Sequence, residues 1–403
     1  MNQRRRVPAA WILSLPILTF GMTFGFMIVP FPQLLAEQGV PGGRIAKLVA
    51  IITSPAFFGF LLAPFLDVHF SRRTYALLFG VLAVAATAFT VFRHAADLEV
   101  EVVMFIGCIS IVLFGYAVGG WGGSLIEERQ ASHLGAWNTA FNIGGGGVGI
   151  LFSGYVTQHF AAEWAAALIF IVFLVPLLVF PMIPATPPGG TLANGAFGRF
   201  FREIAALLKR REVLVALSLF TLPAASFALT NVLGGWGNSF RANPGLVTLL
   251  GGAGSVAAGV VGTLLVPTFA KRLPLRPLYL TIGFVGAAFT LGLLLFPQTS
   301  WTYGAAFVGE NIFQAAAFAT ALAIVFEVIG PGNPLAATIF ALLSAALNLP
   351  GTYMEVIDGY GYDWHAVKGA FLADGVVSAG ACVLLAIVLR RGFFRPVPHQ
   401  DSA

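Results

Sequence analysis

The chain has 403 residues, of which 58% are hydrophobic and only 10% are charged. Its mean hydropathy is +0.87, whereas soluble domains contain roughly 45–50% apolar and 25% charged residues, so a water-soluble domain is excluded. The formal net charge of +5 does not indicate nucleic-acid binding, because the basic residues are spread over short loops. Cys108 and Cys382 both lie in apolar runs and predict neither a disulfide framework nor a metal site.

Twelve apolar runs are long enough to cross a membrane, which takes about 20 residues for a helix. The excess of Phe, Gly and Pro favours helices packed in lipid over β-strands. The first run follows Arg4, Arg5 and Arg6 like a signal peptide, but no cleavage site precedes Pro30, so we expect it to be kept as the first span. The runs lie at residues 11–35, 45–66, 74–92, 102–120, 134–158, 164–183, 213–236, 245–269, 277–296, 300–328, 335–356 and 366–389.

Basic residues are distributed unequally between the two sets of loops. With a cytoplasmic N-terminus, 17 of the 22 Lys and Arg residues fall on the cytoplasmic side, as the positive-inside rule requires. We therefore expect a multi-pass protein of the cytoplasmic (inner) membrane with both termini in the cytoplasm. The five exceptions are Arg44, Lys47, Arg93, Arg241 and Lys368.

A polar interruption at 184–212 divides the chain into six runs at 1–183 and six at 213–403. Its sequence AFGRFFREIAALLKRRE predicts a basic amphipathic helix lying on the membrane surface. An internal repeat supports the division, because LLAPFLDVHFSRR at 61–73 returns as LLVPTFAKRLPLR at 264–276. Two pseudo-symmetric six-helix bundles related by a parallel repeat are the plan of the major facilitator fold, so the predicted class is an all-α membrane protein with twelve transmembrane helices.

The first copy of the repeat carries an acid and two bases at the end of span 2. Asp67, Arg72 and Arg73 resemble the loop 2–3 signature of the major facilitator superfamily, which implies an ion-pair latch that breaks in the inward-open state. The second copy has Ala270 in place of the acid, so the predicted gate is one-sided. The alternative is that Arg72 and Arg73 only anchor the loop in the cytoplasm.

A narrower resemblance lies in FVGENIFQAAAFATALAIVFEVIGPGNPLAATIFALLSAALNLPG at 307–351. This segment is similar to spans 10 and 11 of AmpG-type muropeptide permeases and acetyl-coenzyme A transporters. The shared features are a Glu-Asn pair inside a span, a short turn and an Ala-Thr-x-Phe-Ala-Leu-Leu-Ser run. APFLDVHFSRR at 63–73 and EERQASHLGAWNTAFNIGGGGVGILFSGY at 127–155 resemble other segments of that family. The family usually has an acid at the end of span 4, where this chain has AVGGWGG at 117–123, so the substrate stays open.

Two acidic residues lie well inside predicted spans, away from both span ends. Glu310 lies ten residues beyond Ser300, or about 15 Å along a helix, near the middle of the bilayer. An ionised carboxylate there costs at least ~2.5–3.5 kcal/mol, so Glu310 is the first candidate for proton coupling or substrate contact, the alternative being a packing carboxylate with a hydrogen-bond partner. Asp374, about eight residues into span 12, is the second candidate, and its shallower position is expected to allow contact with water.

Amide side chains are the candidates for lining a cavity, although each could instead join two helices. We also expect Pro350 and Gly351 to break span 11, and the glycines around Trp236 to break span 7, freeing carbonyl groups for a ligand. The candidate lining residues are Asn142, Asn231, Asn311, Gln314 and Asn348.

The motifs of enzymes and cofactor sites are either absent from the sequence or lie in an unsuitable structural context. Gly144, Gly146 and Gly149 satisfy G-x-G-x-x-G but lie in an apolar helix, and the chain has no G-K-[ST] phosphate loop or H-E-x-x-H metal motif. The prediction is a proton-coupled secondary transporter of a polar, anionic or amide-rich solute, and we expect it to be a monomer in the bilayer. Open alternatives are a drug or metabolite exporter of the same fold and an intramembrane transferase.

Overall fold

The computed structural model describes residues 8–67, 70–95, 97–123, 125, 131–184, 196–329 and 336–388, and these ranges contain helices and turns but no strand. The first half comprises α1 Ala10–Ser14, α2 Ile17–Ile28, α3 Pro30–Glu37, α4 Gly42–Thr53, α5 Pro55–Phe58, a 3-10 helix Gly59–Asp67, α6 Arg72–Arg93, α7 Leu98–Gly123, α8 Ala131–His159, α9 Ala162–Leu174 and a 3-10 helix Val175–Met182. The rest comprises α10 Ala196–Leu207, α11 Arg211–Thr221, α12 Leu229–Val232, a 3-10 helix Leu233–Phe240, α13 Pro244–Leu249, a π-helix Leu250–Gly254, α14 Ser255–Ala270, α15 Leu275–Gly292, a 3-10 helix Leu293–Leu295, α16 Ser300–Ile329 and α17 Ala336–Val388.

Nine stretches of the described chain are long and apolar enough to cross a membrane. Proline divides some of them into shorter helices without ending the span, because it removes one backbone donor and displaces the preceding turn. Pro16 and Pro30 do so within Ala10–Glu37. The stretches are Ala10–Glu37, Gly42–Leu62, Arg72–Arg93, Leu98–Gly122, Ala162–Met182, Pro244–Ala270, Leu275–Leu295, Ser300–Ile329 and Ile339–Val388.

The longest stretch contains two spans. α17 has 53 residues, or about 80 Å of helix, which is more than twice the thickness of the hydrocarbon layer. Non-helical dihedral angles at His365 and Ala366 turn the chain back on itself, and the backbones of Gly361 and Gly369 meet across the turn. With α8 and the segment Arg211–Phe240 as two further spans, the total is twelve, as the sequence predicted.

The interruptions within spans differ from the predicted ones. α17 stays helical through Pro350 and Gly351, so the predicted break of span 11 is wrong. Span 7 is interrupted before its glycines, between Thr221 and Leu229, where Phe227 adopts a left-handed φ of 47°. The glycines themselves lie in the 3-10 helix Leu233–Phe240.

Neighbouring elements close around the interrupted segment of span 7. A Cβ atom on Gly283 would lie 1.8 Å from the Ala224 carbonyl oxygen, so only glycine permits α15 to approach so closely. The Cys382 thiol and the Tyr353 hydroxyl donate to the carbonyls of Ala224 and Thr221 at 3.1 and 2.8 Å. These bonds replace part of the helical hydrogen bonding that is lost where span 7 is interrupted.

The spans have one set of ends on the side away from the chain termini, near Glu37, Gly42, Phe240 and His365. We call this side the remote end, and the two halves of the protein meet there. There the Trp236 indole donates to the Gly42 carbonyl at 3.1 Å, and the Gln158 amide donates to the Thr248 hydroxyl at 3.0 Å. Both bonds run between the first and the second half. The remote end is therefore closed in this conformation.

Candidate functional site

Glu310 is fully buried in α16, with 0% of its surface exposed. The Thr290 hydroxyl of α15 donates to its Oε1 at 2.5 Å, and Oε2 has no hydrogen-bond partner in the described part of the chain. Gln314, one turn further along α16, does not contact this carboxyl but donates to the Thr230 hydroxyl at 2.8 Å. Half of the Glu310 carboxyl is thus left without a protein partner in the interior.

Asp374 lies on the second arm of α17 and is 3% exposed. This burial contradicts the expectation that its shallower position gives it contact with water. Its Oδ1 has no hydrogen-bond partner among the described residues, and it lies close enough to Glu310 and Asp358 for ionisation of one acid to disfavour ionisation of the others. The two acids that the sequence singled out are therefore brought together by the fold.

Two further buried acids, Glu355 and Asp358, were not among the predicted site residues. They are 1% and 0% exposed, and their spacing of three residues puts both on one face of α17. Neither oxygen of Asp358 has a hydrogen-bond partner within the described ranges, and its carboxyl is within electrostatic range of Asp374, Glu355 and Glu310. We call Glu310, Glu355, Asp358 and Asp374 the carboxylate cluster.

Among the described residues, the carboxylate cluster has no cation to balance it. Among the residues that the structure describes, no Lys, Arg or His forms an ion pair with any of its four members. An ionised carboxylate costs at least ~2.5–3.5 kcal/mol at the centre of a membrane helix, and each further negative charge in the same place adds repulsion. The cluster is consequently suited to holding protons. Within the described ranges, no three His, Cys, Asp or Glu side chains are arranged to hold a metal ion.

Glu355 is satisfied by hydrogen bonds from two helices. The Asn231 amide of α12 donates to Oε1 at 2.7 Å, which gives this predicted lining residue a direct role in the cluster. The Thr53 hydroxyl of α4 lies 3.3 Å from Oε2. Since α4 belongs to the first half and α17 to the second, Glu355 joins the two halves.

The other predicted lining amides do not touch the carboxylate cluster. Asn311 and Asn348 donate to the carbonyls of Phe307 and Ser344, one turn back on their own helices, at 2.8 and 2.9 Å. Asn311 is half-buried, whereas Asn348 and Asn142 are exposed. The exposed pair lies on α17 and α8, in opposite halves.

The predicted gate is described only in part. The side chain of Asp67 lies outside the described part of the chain, so its pairing with Arg72 and Arg73 stays a prediction. The Arg72 guanidinium rests on α7 at Gly120, where a Cβ atom would come within 1.5 Å of Nη1. The glycine at the end of span 4, where the resembled family has an acid nearby, makes room for this arginine.

At the remote end a different pair of charges joins the halves. Lys47 of α4 and Asp363 of α17 approach to 2.6 Å, and the Lys47 ammonium also lies 3.9 Å from the centre of the Tyr360 ring. A Cβ atom on Gly43 would collide with the Asp363 carboxylate, and one on Gly42 with the Tyr362 ring. The two glycines therefore form the surface on which the end of span 11 rests.

Comparisons with known proteins agree with this architecture. A family model described as Major Facilitator Superfamily matches residues 56–352, and no curated protein matches the chain. The structure is similar to a D-xylose–proton symporter, with 16% identity, a TM-score of 0.69 and coverage of 93% of this chain and 96% of the other. It is similar to a POT family transporter in complex with a thioalcohol-conjugated peptide, with 10% identity, a TM-score of 0.75 and coverage of 95% and 96%. It is also similar to the nucleoside transporter NupG, with 16% identity, a TM-score of 0.65 and coverage of 96% of this chain and 99% of the other. At these identities the likeness concerns the fold alone.

Proposed function

Because the chain belongs to the major facilitator superfamily, we propose that this transporter is driven by protons and carries a small polar solute by alternating access. The observation that carries the proposal is the carboxylate cluster, four buried acids without a cation among the described residues. Acids held inside the membrane and shared between helices are the usual components of proton relays. The D-xylose–proton symporter of similar fold supports this choice of coupling ion.

The closed remote end supports alternating access. Trp236 and Gly42, Gln158 and Thr248, and the Lys47–Asp363 pair hold the halves together on that side. In transporters built from two repeats, rocking of one half against the other exposes a central site to each side in turn. This conformation is then the one whose site is reached from the side of the termini, which we assign to the cytoplasm from the loop charges.

The charges within the spans favour an uncharged, amide-rich solute over an anionic one. Every Lys and Arg of the described spans lies within six residues of a span end, so no cation is available at mid-depth to bind an anion. Asn142 and Asn348 are exposed near mid-depth from opposite halves. Amides facing lipid would be costly, so we assign them to the wall of the cavity.

The pattern of spans 10 and 11 supports an AmpG-like transporter of the inner membrane that takes muropeptide-like compounds. An exporter of the same fold would use the same cluster in the opposite direction. An intramembrane transferase would require a nucleophile or an acid–base pair open to a membrane face, whereas the carboxylate cluster is enclosed. Transport is therefore the proposal to test first.

The test has a binding stage and a transport stage. Purified protein is screened by thermal shift with muramyl dipeptide, dialanine, N-acetylglucosamine and, as an anionic comparison, acetyl-coenzyme A. Compounds that stabilise the protein are then offered to proteoliposomes containing a trapped pH-sensitive dye. We expect an amide-rich probe to move protons together with solute. Accumulation that continues unchanged after the pH gradient is collapsed would contradict proton coupling.

A further inference from the structure

Among the described residues, Glu355 is the one member of the carboxylate cluster with a hydrogen bond to the other half of the protein. Its Oε2 lies 3.3 Å from the hydroxyl of Thr53, the last residue of α4. Both residues are buried, at 1% and 5% exposed. The contact lies ten residues from His365, about 15 Å of helix from the remote end. A change in the charge of Glu355 therefore acts directly on the interface between the halves.

A count of hydrogens shows which protonation state fits this contact. A threonine hydroxyl has one hydrogen to donate and two lone pairs with which to accept. The Thr53 hydroxyl lies 2.8 Å from the Val49 carbonyl, closer than to Glu355, and a carbonyl has no hydrogen of its own. With the Thr53 hydrogen on Val49, the contact with Glu355 is a hydrogen bond when Oε2 carries a proton, whereas an ionised Oε2 would compete with Val49 for that single hydrogen.

The second oxygen of Glu355 fits the same state. Oε1 accepts a hydrogen from the Asn231 amide at 2.7 Å, so a carboxyl group with its proton on Oε2 satisfies both neighbours. Without that proton, the single Thr53 hydrogen would have to serve both the Val49 carbonyl and an ionised, buried Oε2. The conformation with a closed remote end is thus complementary to neutral Glu355.

Few other ionisable groups face Glu355. The Cys108 thiol of α7 and the Asp358 carboxyl of its own helix lie within electrostatic range of Glu355, and Glu310 and Asp374 lie within that range of Asp358. α5 and α12 carry no ionisable residue. The nearest charge on α4 is Lys47, six residues before Thr53 and paired with Asp363. No cation among these groups would stabilise an ionised Glu355 in the closed conformation.

We propose that Glu355 is the positioning residue that links proton binding to closure of the remote end. With its proton, it donates to Thr53 and holds α17 against α4. When the proton leaves to water, the buried Glu355 charge has no cation to balance it among the described residues, and the halves separate at that end so that water can reach it. The inference rests on the proposed function, and it assigns the link to a residue distinct from Glu310 and Asp374.

The experiment measures the remote end directly and needs no solute. Spin labels on cysteines replacing Trp164 and Trp301, which are 69% and 90% exposed at the remote ends of opposite halves, report their separation. We expect the long-distance population of the otherwise unaltered protein to grow as the pH rises. Glu355→Gln should stay closed at every pH, because its amide donates to Thr53 and accepts from Asn231 as the neutral acid does.

Thr53 provides the matched pair of variants. Thr53→Val keeps the shape but removes the acceptor, and we expect the closed-to-open ratio at low pH to fall about three- to ten-fold, the range for one hydrogen bond. Thr53→Ser keeps the hydroxyl and should behave like the parent.

A full pH response in Glu355→Gln, with the parent responding too, would overturn the inference while leaving proton-coupled transport intact. A parent that couples uptake to protons but keeps one label distance at all pH values would also overturn it. Absence of proton-coupled uptake would instead reject the proposed function.

Discussion

Lys47 and Asp363 form an ion pair between the two halves of the protein, with 2.6 Å between Nζ and Oδ2. Both side chains are partly exposed, at 29% and 46%, so the pair is worth about 1 kcal/mol or less and is weakened by salt. Such a contact can hold the remote end closed without preventing it from opening. The Tyr360 ring beside the ammonium adds a cation–π contribution.

We predict that Lys47→Gln reduces the closed-to-open ratio at the remote end up to about five-fold, which corresponds to ~1 kcal/mol. The label pair at positions 164 and 301 measures this ratio. A double variant that exchanges the two charges, Lys47→Asp with Asp363→Lys, should recover part of the lost closed-to-open ratio. If the exchanged protein is as open as the single variant, the pair does not contribute to closure.

The sequence predicted the spans well because each crossing needs about 20 apolar residues, and it predicted Glu310 and Asp374 because an acid within such a run is conspicuous. Glu355 and Asp358 were missed because they do not lie well inside an apolar run. The apolar run of span 11 ends at 356, so Glu355 fell at its edge and Asp358 in the loop. In the structure the first arm of α17 continues to His365, about 45 Å of helix. Two acids three residues apart after an apolar run, in MEVIDGYGYDW, were the available signal.

Contacts between distant segments were beyond sequence analysis. The pairing of Asn231 with Glu355 joins residues 124 positions apart, and the ion pair of Lys47 with Asp363 joins residues 316 positions apart. No local pattern specifies such pairs, since they depend on how whole helices pack. The interruption of span 7 near Pro223 was likewise placed too late in the sequence, because glycine is also tolerated in a continuous membrane helix.

The interrupted segment of span 7 predicts a difference between two glycines of α15. A methyl group at Gly283 would meet the Ala224 carbonyl at 1.8 Å, whereas nothing lies within 4 Å of the same position at Gly292. Gly283→Ala is expected to destabilise the protein by roughly 1–3 kcal/mol, as overpacking does. Gly292→Ala should be neutral or stabilising by up to ~1 kcal/mol.

Thermal unfolding of both variants in the same detergent makes this comparison. We expect a clearly lower midpoint for Gly283→Ala and no decrease for Gly292→Ala. Equal midpoints would show that α15 and span 7 are not in close contact.

The cytoplasmic position of the 184–212 segment follows from the loop charges and is open to a direct test. Ala205 is exposed on α10, and Trp301 is exposed at the remote end. In intact cells, an impermeant maleimide should label a cysteine replacing Trp301 but label one replacing Ala205 only after permeabilisation. The native cysteines are buried, and the parent protein gives the background. Labelling of the Ala205 variant in intact cells would reverse the proposed orientation.

The central claim, that buried acids carry the coupling proton, is tested most directly by Glu310→Gln. The amide keeps a hydrogen-bonding side chain beside Thr290, which lies 2.5 Å from Oε1 in the parent, but it cannot gain or lose a proton at neutral pH. Proteoliposomes receive an imposed pH gradient and whichever amide-rich probe stabilises the protein, and accumulation is normalised to folded protein. We predict that Glu310→Gln loses accumulation against the gradient yet still exchanges solute across the membrane. Accumulation equal to that of the parent would contradict the account.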